Sequence, residues 1–158
     1  MKQEKEFLRG KFIEFQSRIA ELSHTLRKQE DAFLAKEKDL YFSLFEVLDG
    51  FESLEETIQA KEEEMDKTAR LLAKNIRAIH RKIIRMLKAQ HVSPIEFPDH
   101  KARMDHCKVV DTREVPEKEN ETILTIVKNG YINEKLGVVL RKAEVITVLN
   151  GVNDRKGS

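Results

Sequence analysis

The sequence predicts a mainly α-helical chain with a small C-terminal β module, an α+β arrangement, and three observations carry that expectation. Proline is absent before Pro94, with only Gly10 and Gly50 in that stretch, whereas Pro94, Pro98, Pro116, Gly130, Gly137 and Gly151 crowd the remainder of the chain. Apolar residues in the first part recur at helical spacing. Near the C-terminus they give way to β-branched runs of strand length.

The first element is read from Leu8, Phe12, Phe15, Ile19, Leu22, Leu26, Phe33 and Leu40, which follow alternating steps of four and three, with Gln29 and Lys36 in the two polar places of the series. A repeat of 3.5 residues favours a partner helix over a globular core. A helix over roughly residues 3–48 would extend ~68 Å at 1.5 Å per residue. Nothing else in a chain of 158 residues covers such a length, so a second copy is the expected partner and a homodimer the expected state. Residues 1–50 are therefore assigned to a long N-terminal dimerising helix.

Residues 51–92 are expected to form amphipathic bundle helices, either one helix over about 55–90 or two with a short break. Seven acidic residues fall between Glu52 and Asp66, and seven Lys/Arg with no acid between Thr68 and Gln90. Acid first and base last suits the helix macrodipole. Leu72, Ile76, Ile79, Ile83, Met86 and Leu87 share one apolar stripe.

Residues 93–152 are assigned to the β module and 153–158 to a tail. Thr122–Val127 and Glu144–Leu149 have strand composition, and Cys107–Val110 and Val138–Leu140 resemble shorter strands. Asn129-Gly130 and Gly137 supply turn chemistry between them. So small a module is expected to lean on the helices.

Composition narrows the function classes. Charged residues make up 36% of the chain, above the roughly 25% of globular domains, which suits long solvated helices. The net charge of +1 provides no global field toward nucleic acid or an anionic membrane. The lone Cys107 fits a reducing compartment. With no apolar leader and no window near the ~18 apolar residues of a span, the cytoplasm is the expected location.

Catalysis has no visible home. Asp99-His100 and Asp105-His106-Cys107 are metal-binding types, but they lack the paired spacing of a structural zinc site, so a solvated loop is the expectation and no metal or cofactor is assigned. His106 and Cys107 are neighbours, and in a strand they would point to opposite faces. No Gly-rich phosphate loop, G-x-S-x-G elbow or H-E-x-x-H occurs. The basic run from Arg70 to Lys88 fits either a solvated bundle face or an anionic partner. It lacks aromatics that would stack on bases, so nucleic-acid binding through 70–88 is the lesser expectation.

Several segments, in order, are similar to one family. Leu8-Arg9-Gly10-Lys11-Phe12-Ile13-Glu14-Phe15-Gln16-Ser17-Arg18 resembles the L-R-A-D-F-E-N-Y-R-K-R helix of GrpE, and Val47-Leu48-Asp49-Gly50-Phe51-Glu52 its V-L-D-N-L-E. Leu87 to Ile95 resembles L-x-K-x-G-V-E-x-I. Glu114-Val115-Pro116, the run Ile123–Val127, Lys128-Asn129-Gly130-Tyr131 and Leu140-Arg141-Lys142-Ala143-Glu144-Val145 resemble E-V-P, a strand, Q-K-G-Y and L-R-P-A-x-V. The resemblance implies a parallel GrpE-like dimer with a long paired helix and a four-helix bundle. One β module would dock on the ATPase domain of a DnaK-type chaperone and promote ADP release, a co-chaperone role without covalent chemistry, in protein folding and the stress response. Residues implied at the chaperone face are Arg18, Gly130, Tyr131 and Arg141, although an aromatic after a turn glycine equally fits a core plug. Dimer and bundle contacts would come from Phe12, Phe15, Ile19, Phe45, Leu48, Phe51, Ile76, Ile79, Ile83 and Leu87.

Departures from the pattern are specific. Val138 stands where the family's G-R-V-L-R turn has its first arginine, and Gln16-Ser17 replace a basic pair. Glu46 replaces a proline, Asn75 a glycine, and Met104-Asp105-His106 an H-E-A. The N-terminal match also needs about one added heptad. These changes leave open a GrpE-shaped scaffold or adaptor dimer with weak or lost exchange.

Overall fold

The computed structural model describes residues 1–151, so the expected tail over 153–158, including Gly157 and Ser158, and the last residue assigned to the β module lie outside the described residues. Helix α1 spans Lys2–Ala60, helix α2 spans Lys67–Ala89, and a single 3-10 turn at Glu62–Glu64 lies between them. Six strands come next: β1 Val92–Pro94, β2 Cys107–Arg113, β3 Ile123–Lys128, β4 Tyr131–Asn133, β5 Val138–Arg141 and β6 Ala143–Val148. The chain is therefore mainly helical with a C-terminal β module. It divides into two compact units, one over Met1–Tyr41 and one from Phe42 onward.

The first unit is helix alone. Its support is local, as in the Lys11–Glu14 pair at 3.0 Å, three residues apart on one face. The whole apolar series from Leu8 to Leu40 is exposed in the single chain, as are the off-seam Phe7, Ile13 and Leu34.

In the second unit α1 runs past the expected end near residue 48 to Ala60, and the helical break falls at Lys61–Asp66, within the 55–90 stretch where two helices with a short break are one of the two expectations. Gly50 remains inside α1, with open space where a Cβ would sit. A helical glycine costs about 1 kcal/mol relative to alanine, and burial of Phe45, Leu48 and Ile58 on the same helix offsets it. Asp66 then caps α2, its side chain accepting a hydrogen bond from the Ala69 N–H at 2.7 Å, an arrangement worth about 1 kcal/mol.

Packing of α2 splits its apolar stripe in two. Ala73 and Leu87 are buried and Ile76 and Ile83 half-buried, whereas Leu72, Ile79 and Met86, seven residues apart, are exposed. Between the helices, Phe51 stacks on the His80 ring at 5.5 Å. Arg77 grips Glu55 with both Nε and Nη2, at 2.7–3.0 Å.

The strands form two three-stranded sheets. One is antiparallel in the order β1-β4-β5, and the other has the order β2-β6-β3, with β2 parallel and β3 antiparallel to β6. The four expected strands are present with edges moved by a few residues, and β1 and β4 are additional. Each of those two has only three residues, too few for alternation to register. A register shift between Val109 and Asp111 bulges β2. The core of the module is Ile95, Phe97, Cys107, Ala143 and Val145. The Cys107 thiol lies 3.1 Å from the Arg103 carbonyl, and burial raises its pKa, which disfavours the reactive thiolate.

The two turn glycines behave differently. Gly137 has φ +65°, the left-handed conformation expected of a hairpin turn. Gly130 is needed for close approach instead: a Cβ there would collide with the Ala143 nitrogen and meet the Arg141 oxygen at 2.8 Å.

The Arg77–Glu55 pair makes an acid-sensitive latch between α1 and α2. Hydrogen bonding from Arg77 holds the Glu55 carboxyl below its ordinary value, against a smaller opposing effect of burial. A depressed carboxylate pKa contributes stability above its unfolded value and loses it as pH falls through the folded value. Thermal melts followed by circular dichroism should thus show Glu55→Gln less stable than the parent at neutral pH, with the difference shrinking below the ordinary carboxylate range.

Candidate functional site

The β module is seated on α1 through charge and aromatic contacts that both lie in the second unit. Phe45, Asp49 and Glu52 recur at spacings of four and three, so one face of α1 carries all three. Against this face lie Asn129 just before β4, Tyr131 at its start, and Arg141 at the end of β5.

Arg141 is the centre of the junction. Nη1 donates to Asp49 Oδ2 at 2.8 Å, and Nη2 reaches Asp49 Oδ1, a two-pronged ion pair. Nε and Nη2 also donate to the Asn129 carbonyl, at 3.1 and 2.7 Å. The guanidinium carbon lies 5.4 Å from the ring centres of both Phe45 and Tyr131, within the range of cation–π attraction. The side chains of Arg141 and Asp49 are only 15% and 19% exposed, so the pair is largely withdrawn from water. Burial opposes the charge on Arg141, and the Asp49 carboxylate outweighs it, raising the pKa.

Tyr131 is 0% exposed and stacks on Phe45 with centroids 4.1 Å apart and planes 3° from parallel. Its hydroxyl is buried without a hydrogen-bond partner among the described residues. Burial, reinforced by the charge of Glu52, pushes the phenol well above its ordinary pKa. The side chain of Glu52 itself accepts a hydrogen bond from Asn129 Nδ2.

Three of the four residues expected at a chaperone face are thus gathered at one place, but as internal parts of a joint. Gly130 and Tyr131 are buried, and Arg141 is committed to Asp49. Arg18 is exposed, in the first unit. Of the expected dimer and bundle residues, Phe12, Phe15, Ile19 and Ile79 are exposed, Phe51, Ile76 and Ile83 are half-buried, and Phe45, Leu48 and Leu87 are buried. Asp49 and Asn129 are site residues that sequence reasoning misses. A signal for Asp49 is present in the sequence: an acid one helical turn after Phe45, with Glu52 three residues further on the same face.

The loop of metal-type residues serves local structure. Asp99 accepts from the Lys101 N–H at 3.2 Å, and Asp105 Oδ1 lies 2.9 Å from His106 Nδ1. Among the described residues no group of three or more His, Cys, Asp or Glu is arranged to hold a metal ion. No described helix is long and apolar enough to cross a membrane.

A shielded ion pair thus fixes the β module to the flank of a long helix. Residues 1–148 match the family model described as GrpE, and the chain belongs to the GrpE family, whose members are nucleotide exchange co-chaperones. No curated protein matches the chain.

Two sets of variants test the joint by urea denaturation. Breaking a shielded pair strands one charge, so Asp49→Asn or Arg141→Gln alone should cost about 3 kcal/mol. The double variant should cost less than the sum, with a coupling above about 1 kcal/mol. At Tyr131 the ring matters and the hydroxyl does not. Tyr131→Phe should stay within about 1 kcal/mol of the parent, whereas Tyr131→Ala should lose about 3–5 kcal/mol.

Proposed function

We propose that this protein is an adenyl-nucleotide exchange factor that acts as a homodimer on the ATPase domain of a DnaK-type chaperone. The observation that carries the proposal is the family match over residues 1–148, which takes in both helices and all six strands. Support for the dimer comes from the exposed heptad series on α1 and from Leu72, Ile79 and Met86 on α2. Two such stripes in one chain are what a second copy would cover by knobs-into-holes and bundle packing.

The mechanism is differential binding. A factor that prefers the open ATPase domain to the closed one weakens ADP affinity by the same coupling that ADP exerts on it. Faster ADP release then lets ATP return and the client leave. In this role Arg18 would touch the chaperone, while Gly130, Tyr131 and Arg141 would fix the pose of the β module that does so. Val138, exposed on β5, replaces a basic residue with an apolar one, and Gln16 removes another positive charge. A charge-assisted hydrogen bond is worth about 1.5–3 kcal/mol, so the chaperone served would have a surface altered to match.

Those same replacements favour the second reading, a GrpE-shaped scaffold with exchange lost. Stopped-flow release of a fluorescent ADP analogue from the DnaK-type chaperone of the same cell separates the two. Acceleration of about 100-fold or more, equivalent to about 2.7 kcal/mol off the release barrier, is the expected result. A dimer by sedimentation that leaves release unchanged would establish the scaffold instead.

A further inference from the structure

Helix α2 carries a second surface to which the proposed function assigns no role. Lys67, Arg70, Lys74, Arg81, Arg85 and Lys88 are all exposed, at spacings of three, four, seven, four and three. At 100° per residue these six fall within about 60° of one another around the helix axis, along ~32 Å of its length. No acid occurs in α2, and none of the six has an ion pair with an acid among the described residues. Arg77, beside the stripe, is the α2 cation that pairs with α1, through Glu55. Toward the C-terminal end, Ala78, His80, Arg81, Ile84, Arg85 and Lys88 line an open cleft of about 580 Å³. The stripe lies about 150° around the helix from Leu72, Ile79 and Met86, so a second copy covering that apolar row leaves it open.

We infer that this stripe and cleft form a docking surface for an acidic amphipathic helix of another protein. Charge complementarity identifies the occupant. Carboxylates at i, i+4 and i+7 on a partner helix repeat at the same interval as the cations, and a helix lying alongside meets several of them at once. Ala78 and Ile84 provide an apolar floor for one or two side chains between those acids, which a chain of phosphates does not supply. Nucleic acid fits poorly for a further reason. A single strand needs aromatic platforms, and α2 has no Phe, Tyr or Trp.

The test is fluorescence anisotropy with three labelled probes: a 21-residue helical peptide of Glu at i, i+4 and i+7 with interleaved Leu and Ala, a 21-base single strand and a 21-base-pair duplex. The full chain is titrated at about 0.1 M salt, where the Debye length is about 10 Å. Saturable peptide binding is expected, weakened tenfold or more by Arg81→Gln/Arg85→Gln/Lys88→Gln. It should change less than twofold with Lys108→Gln/Lys118→Gln/Lys135→Gln, which removes the same charge elsewhere. Arg81→Lys/Arg85→Lys should keep most of the affinity, and circular dichroism should show all three variants helical. Absence of saturable binding, an equal loss in both triple variants, or tighter binding of either nucleic acid than of the peptide would overturn the inference. None of these readouts involves nucleotide exchange, so the result stands apart from the stopped-flow outcome.

Discussion

The second unit depends on one shielded ion pair. Without the Asp49–Arg141 pair the β module would be held to α1 by the stacked rings of Phe45 and Tyr131, two flat faces that can slide over one another, and by the single Asn129–Glu52 hydrogen bond. A two-pronged guanidinium–carboxylate pair is directional in a way that a stacked aromatic pair is not. Arg141 also ties down the Asn129 carbonyl, so the same guanidinium fixes the loop entering β4 and the end of β5. Gly130 completes the arrangement, because any side chain there would push that loop off the β5–β6 corner. Charge gives the joint its orientation and the rings give it burial.

Large-scale organisation is legible in the sequence because it depends on period and punctuation. The shift from heptad spacing to β-branched runs locates the change from helix to sheet, and the prolines mark where it begins. The boundary within the helical part is harder to find. Gly50 looks like a break, yet burial of residues on both sides carries α1 through it, and the true interruption lies in the acidic stretch before Asp66. Sequence patterns register a glycine's local cost but not the packing that compensates for it. The joint is legible as a set of residues and illegible as a set of contacts. Gly130, Tyr131 and Arg141 stand out together in the sequence, but whether an arginine in such a motif faces outward or pairs inward depends on an acid 92 positions away. No local pattern contains that distance.

The two helical faces left uncovered in the single chain have opposite characters and so call for different partners. An apolar row repeating every seven residues is suited to a copy of itself, since identical rows interdigitate. A row of cations repels its copy and is suited to something acidic. Placing them far apart around α2 keeps the demands separate: whatever meets the cations need not compete with self-association. The absence of acids from α2 therefore has a cost, in unrelieved repulsion among its own lysines and arginines, that capping by Asp66 and the Glu55 contact offset only in part.

The position of β6 in its sheet also bears on how the chain comes off the ribosome. β6 is the last strand in the described sequence, yet it lies between β2 and β3 and supplies the hydrogen-bonding partner of each. Until residues 143–148 emerge, two strands rich in valine and isoleucine have unpaired edges, while the helices can form turn by turn as they appear. Synthesis thus produces a helical chain first and a finished β module only after Val148 has emerged. A molecule cut short before Ala143 would have helices that look intact and two open strand edges ready to pair with the wrong neighbour.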